Sequence, residues 1–187
     1  MTWRRRLAYV SWAFLLAAVA FAWFLRHSDG PVLFFLGGEL RSGESAEFDE
    51  IDWTSLDGLR ELELEVVPTR RSRAIWFTVY EGRPYISCGL ACDSTRVKRW
   101  PYYVDRDGRV VLRIDGARIL ARMERVAPDT PEYAAVRAAQ SRKFTGTDGA
   151  REAAEERAHD AIMGIGKSLS AESTKGRRLY RVVAPSE

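Results

Sequence analysis

The chain opens on an unbroken apolar stretch. From Leu7 to Leu25 it reads LAYVSWAFLLAAVAFAWFL, without a charge, a glycine or a proline. A helix of that length rises about 28 Å, close to the hydrocarbon thickness of a bilayer. Trp3 and Trp23 stand near its ends, where indole rings favour the interface. The pattern predicts one transmembrane anchor over residues 1–27, with residues 7–25 in the lipid. A cleaved signal peptide is the rival reading, with Arg4–Arg6 as its basic head and Ala20-Phe21-Ala22 mimicking a cleavage site. Cleavage there would leave Trp23-Phe24-Leu25 to begin the mature chain, so a single-pass anchor is the expectation. Arg4, Arg5, Arg6 and the α-amino group precede the helix, while Arg26 and later Arg41 follow it among acidic residues. By the positive-inside bias the N-terminus is expected in the cytoplasm and the domain outside it.

Behind the anchor the pattern changes twice. Residues 28–58 form an irregular lead-in, punctuated by Gly30-Pro31, Gly37-Gly38 and Ser42-Gly43. Within it Val32–Leu36 is a short apolar patch, suited to a first strand or to the membrane surface. From residue 59 the period becomes two. Leu62-Glu63-Leu64-Glu65-Val66 alternates as a half-buried strand does. Ala74–Tyr80 and Pro84–Cys88 are β-rich runs joined through Glu81-Gly82, a hairpin signal. A second hairpin joins Val110, Leu112 and Ile114 to Ile119, Ala121 and Met123 through Asp115-Gly116. Thr130-Pro131-Glu132 then caps a helix through about Phe144, Asp148 caps another ending at Gly164 and Gly166, and Leu179–Val183 reads as a last strand. The expected architecture is α+β: an antiparallel barrel of about six strands with C-terminal helices, over residues 59–187.

Charge narrows the function classes. The sequence pI near 9.0 suggests a nucleic-acid partner until the charges are located. Of the 29 Lys and Arg residues, Arg4, Arg5, Arg6 and Arg26 flank the apolar segment, which leaves 25 against all 26 acidic residues, a net of −1 for the domain. Such a domain has no general attraction to a phosphate backbone, so no nucleic-acid partner is expected.

The strings WFTVYEGRPYISC, KRWPYYVDRDGRVVLRIDG and ARILARMERV follow one another in this order. Together they resemble the split β-barrel proteins related to pyridoxamine 5′-phosphate oxidase, nearest to the deazaflavin-dependent nitroreductase-like members. RRLYRVVAP is similar to the late strand of that family. The resemblance covers residues 59–126 well and the tail loosely. It implies a homodimer and a cofactor, FMN or a deazaflavin of the F420 type, held by its phosphate in the dimer cleft. The residues that match its basic and hydroxyl positions are Thr69, Arg70, Arg71 and Ser72, together with Arg96, Lys98 and Arg99, and Trp100 as a stacking face. The chemistry is apt, because guanidinium forks bind phosphate bidentately and hydroxyls complete the shell. Two departures stand out. Val67-Pro68-Thr69-Arg70-Arg71-Ser72 replaces the glycine-rich turn of the nitroreductase-like group, and Asp107-Gly108 stands where a proline is common.

Each of these features has a plainer reading. The basic residues suit a solvated turn and helix start, while Trp100, Tyr102 and Tyr103 suit a core. Cys88 and Cys92 are either a disulfide, which needs a turn between them, or two small buried thiols. His27 and His159 are the only histidines and neither is near the cysteines, so no metal site is expected. No nucleophile–base set, P-loop or dinucleotide fingerprint can be assembled. A flavin-type enzyme needs none, since the cofactor carries the redox chemistry. Two functions follow: a membrane-anchored oxidoreductase reducing a small or lipid-soluble acceptor, or a cofactor-free barrel serving as a binding or scaffolding domain of the cell envelope.

Overall fold

A computed structural model of the protein describes residues 3–33, 35–89, 92, 99–144 and 178–185. The apolar stretch is one continuous helix, α1 (Trp3–His27), long and apolar enough to cross a membrane. Its large side chains stand exposed along most of its length.

The β pattern folds as expected, into an α+β domain. Strands β1 (Glu44–Ala46), β2 (Glu61–Val66), β3 (Arg71–Tyr80) and β4 (Arg83–Cys88) precede helix α2 (Trp100–Asp107). Strands β5 (Arg109–Ile114) and β6 (Ala117–Val126), helix α3 (Pro131–Phe144) and strand β7 (Arg178–Val183) follow. Six strands run β6-β5-β2-β3-β4-β7, and β7 pairs back onto β6, so the sheet closes into an antiparallel barrel. The short β1 adds to β6 in parallel. Both expected hairpins are present. Their two central residues all have positive φ, 50° and 73° at Glu81-Gly82 and 49° and 80° at Asp115-Gly116. That backbone twist matches the twist of the flanking strands.

Alternation along the strands fills the barrel. Leu64, Phe77, Ile86, Leu112, Ile119 and Tyr180 lose nearly all contact with water. Each such side chain contributes about 1.5–3 kcal/mol on burial, so this interior is the chief source of stability. Cys88 and Cys92 are joined by a disulfide with a Cα–Cα distance of 5.8 Å, and both are buried. Of the two readings left open for these residues, the structure takes the bridge.

The lead-in is irregular but not loose. Leu40 and Trp53 are buried within it. The Leu40 amide donates to Glu65 Oε2 at 2.8 Å, and Arg118 Nε donates to the Leu40 carbonyl at 2.7 Å. Arg113, from β5, bonds the Asp29 carboxylate at 3.2 Å, the Ser42 hydroxyl at 2.6 Å and the Glu63 carboxylate. The segment therefore wraps the barrel as a fastened cover. No named strand includes Val32, Leu33, Phe35 or Leu36. Val32 pairs with Phe35 across a tight turn in which Leu33 takes φ 53°.

Helix α2 precedes β5, and α3 runs from Pro131 as expected. Helix α3 begins as its sequence indicates, with the Tyr133 amide donating to Thr130 Oγ1 at 3.2 Å. Tyr85 OH donates to Glu132 at 2.8 Å, Gln140 Nε2 donates to Ser87 Oγ at 2.5 Å, and Val136 is fully buried between them. The helix expected from Asp148 to Gly166 lies outside the described residues.

Candidate functional site

The residues expected to hold a phosphate separate into two groups. A 3-10 turn, Val67–Thr69, leads through Arg70 in a left-handed conformation into β3. Thr69 Oγ1 donates to the Val66 carbonyl at 2.9 Å, and Ser72 Oγ, fully buried, donates to the Gly38 carbonyl at 2.6 Å. Both hydroxyl protons thus serve the backbone. Arg70 is 73% exposed and pairs with Glu39 at 3.1 Å, away from the barrel interior.

The second group is drawn together. Register explains it. Arg71 lies opposite Val66 and Arg73 lies opposite Leu64 on β2, and both of these partners are fully buried. Residues facing each other across an antiparallel pair project to the same side, so these two arginines lie on the inner face of the barrel wall. Arg71 Nη2 donates to the Leu36 carbonyl at 3.1 Å, and Arg26, at the end of α1, donates to the Thr69 carbonyl at 3.3 Å. The Arg73 guanidinium sits over the Trp100 ring, 5.8 Å from its centroid. Trp100 is itself buried and packs on Tyr180 at 5.6 Å, so it belongs to the core and presents one face to Arg73.

Electrostatics mark this row as unusual. Burial, then the charge of Arg71, pull the Arg73 guanidinium down to about 10. Arg71 is lowered in the same way, by burial and then by Arg26. Arg73 Nε is buried with no hydrogen-bond partner. Among the described residues no carboxylate pairs with Arg26, Arg71 or Arg73. An unpaired cation out of water is costly, and proteins keep one where an anion completes it.

Of the expected residues, then, Arg71 and Trp100 join the row. Thr69 stands beside it, while Arg70 and Ser72 point elsewhere. Arg99 stands at the N-terminus of α2, and Arg96 and Lys98 lie outside the described residues. Sequence reasoning missed Arg73 and Arg26. The usable signal was Arg-Ser-Arg in phase with Leu64 and Val66 across the strand pair.

A second cluster surrounds Asp105, which binds Arg178 at 2.6 Å, Tyr180 OH at 2.9 Å and Arg125 at 3.7 Å. It lines a groove of about 410 Å³. Tyr180 is held well above the usual phenol range by burial and by Asp105. Asp105 is matched by Arg178 and Arg125, and the cluster reads as a brace between α2 and β7.

No family model matches the chain, and no curated protein matches it. Among solved structures, the chain is similar to an FAD-binding protein of Mesorhizobium loti, with 13% identity over 72% of this chain and 88% of that one, at a TM-score of 0.40. It is also similar to a conserved hypothetical protein of Mycobacterium tuberculosis, with 18% identity over 79% of this chain and 86% of that one, at a TM-score of 0.41.

Proposed function

We propose that the protein is a membrane-anchored barrel that binds a phosphate-bearing redox cofactor, FMN or a deazaflavin, and reduces a small or lipid-soluble acceptor. The observation that carries this reading is Arg73. Among the described residues it is a largely buried cation with an unsatisfied Nε and no carboxylate, and an aromatic face lies beside it. Arg71 and Arg73 would hold the phosphate, with Arg26 adding charge at the rim and Trp100 bounding the inner side. The bound flavin would supply the hydride chemistry, while the protein binds and orients it. A homodimer belongs to this reading, and light scattering of the full chain in detergent tests it.

The Cys88–Cys92 disulfide supports an extracytoplasmic domain, because such bridges persist in oxidising compartments. Reporter fusions at the C-terminus test that orientation.

A second reading, a cofactor-free envelope domain, is favoured by Thr69 and Ser72, whose hydroxyl protons are already engaged. Titration of the full chain in detergent with FMN, with a deazaflavin and with inorganic pyrophosphate separates the two. Saturable quenching of tryptophan fluorescence by either flavin is expected, weakened about ten- to a hundred-fold in Arg73→Gln. Pyrophosphate binding without flavin binding would leave an anion site and end the oxidoreductase reading. Binding of none of the three would favour the scaffold.

A further inference from the structure

The turn at Val32–Leu36 is unexplained by the barrel. Leu33 is 81% exposed, Phe35 50% and Leu36 41%, so three large apolar side chains stand out of one tight turn. Exposed apolar clusters of this kind mark contact surfaces rather than random surface. The turn's surroundings say which contact. The Phe35 ring meets Phe21 of α1 edge to face at 5.4 Å. Phe21 lies inside the apolar stretch, five residues before Arg26, or about 7.5 Å deeper along the helix. The turn therefore folds back alongside the part of α1 that would be in lipid.

It is also held firmly to the barrel. Gly37 exchanges two backbone hydrogen bonds with Ser72, at 3.0 and 3.3 Å, and Arg71 donates to the Leu36 carbonyl. Arg26 ties the foot of α1 to the Thr69 carbonyl. Turn, helix foot and barrel rim are thus tied together, with Phe35 against α1 and the Arg71 guanidinium at the Leu36 carbonyl. This is the order of a membrane interface, with acyl chains first and phosphate headgroups next.

We propose that the turn carrying Leu33, Phe35 and Leu36 is a second membrane contact, inserted into the same leaflet as the foot of α1. It seats the barrel on the bilayer and sets the outer end of the arginine row, Arg26 and Arg71, at the headgroup layer. The inference rests on the membrane-anchor reading of α1. Its consequence is that a lipid-soluble acceptor reaches the row from the membrane side.

Depth-dependent quenching tests it in the full chain. Single cysteines carrying an environment-sensitive fluorophore are placed by Leu33→Cys, Leu16→Cys and Glu81→Cys, since the two native cysteines are bridged. The protein is reconstituted in vesicles of phosphatidylcholine and phosphatidylglycerol with brominated acyl chains. Position 16 reports the anchor, and position 81 the far end of β3, about 33 Å from Arg71 along the strand. The expected result is strong quenching at 16, clear quenching at 33 and none at 81. Quenching at 16 but not at 33 overturns the proposal and leaves the anchor standing. Absence of quenching at 16 overturns the anchor and this inference with it. Leu36→Cys gives the same test should the label at 33 disturb the turn.

Discussion

Two groups of arginines sit on strands of the same barrel and meet opposite surroundings. Arg113 gathers Asp29, Glu63 and Ser42 around one guanidinium and so fastens the lead-in to β2 and β5. Arg73 is also largely out of water, but it meets only the Trp100 ring and, among the described residues, no carboxylate. The first arrangement is what a protein builds to hold itself together. The second weakens the fold and has a use only when something else supplies the negative charge. Burial by itself therefore says little about an arginine, and its partners say what it is for.

The largest effect should come from breaking the paired group. Arg113→Met strands two carboxylates near the surface of the fold, and chemical denaturation in detergent should show a loss of about 1.5–3 kcal/mol. A neutral result would mean that the clamp is ornamental and that the contrast fails. The unpaired group should respond with the opposite sign. Arg73→Met removes a desolvated charge and keeps the packing against Trp100, so stability should rise by about 1 kcal/mol. The same variant should lose anion binding in the titrations above. Equal destabilisation by Arg73→Met and Arg113→Met would place both in the structural class.

Acid sharpens the comparison without a substitution. Burial alone would raise the Asp29 carboxyl, but the Ser42 side chain, the backbone amides of Arg41 and Ser42 and the Arg113 charge bring it to about 2, against an ordinary 3.8. A carboxylate lowered in this way contributes fully above its unfolded pKa and loses that contribution as pH falls toward the folded value. Thermal stability should therefore drop between about pH 4 and pH 2 in the native chain, and less steeply in Asp29→Asn. The smallest effect belongs to the exposed pair. Arg70→Ala should change stability by under about 0.5 kcal/mol and leave anion binding unchanged, because a solvated ion pair contributes little.

These contrasts also show where the sequence speaks and where it is silent. The hairpins at Glu81-Gly82 and Asp115-Gly116 were legible because strand alternation and turn chemistry agreed within a few residues. Helix α3 was legible through Thr130 and Pro131. The three-residue strand β1 was not, since so short a segment has no period and its pairing with β6 joins Glu44 to Ala117. Arg113 and Asp29 meet across 84 positions, and no local rule reports such a contact. Basic and hydroxyl residues near Thr69 were found by type, which selected Arg70 and Ser72 although the left-handed cap and the strand phase turn them away. Arg73, one residue beyond that turn, reads as surface charge until it is set against Leu64. Helix α2 was not legible, its aromatic and basic content favouring no single period.

The closing strand has a consequence for how the molecule is made. Strand β7 pairs with β4 on one side and β6 on the other, and it follows both by dozens of residues, with Arg181 meeting Tyr85. Until Arg178–Val183 emerges from the ribosome, β4 and β6 both present open edges. Those edges are sticky templates for other chains, and pairings so distant in sequence form slowly. A chain stopped short of Arg178 should keep its hairpins yet associate through those two edges, so the last strand acts as a quality checkpoint on the entire barrel.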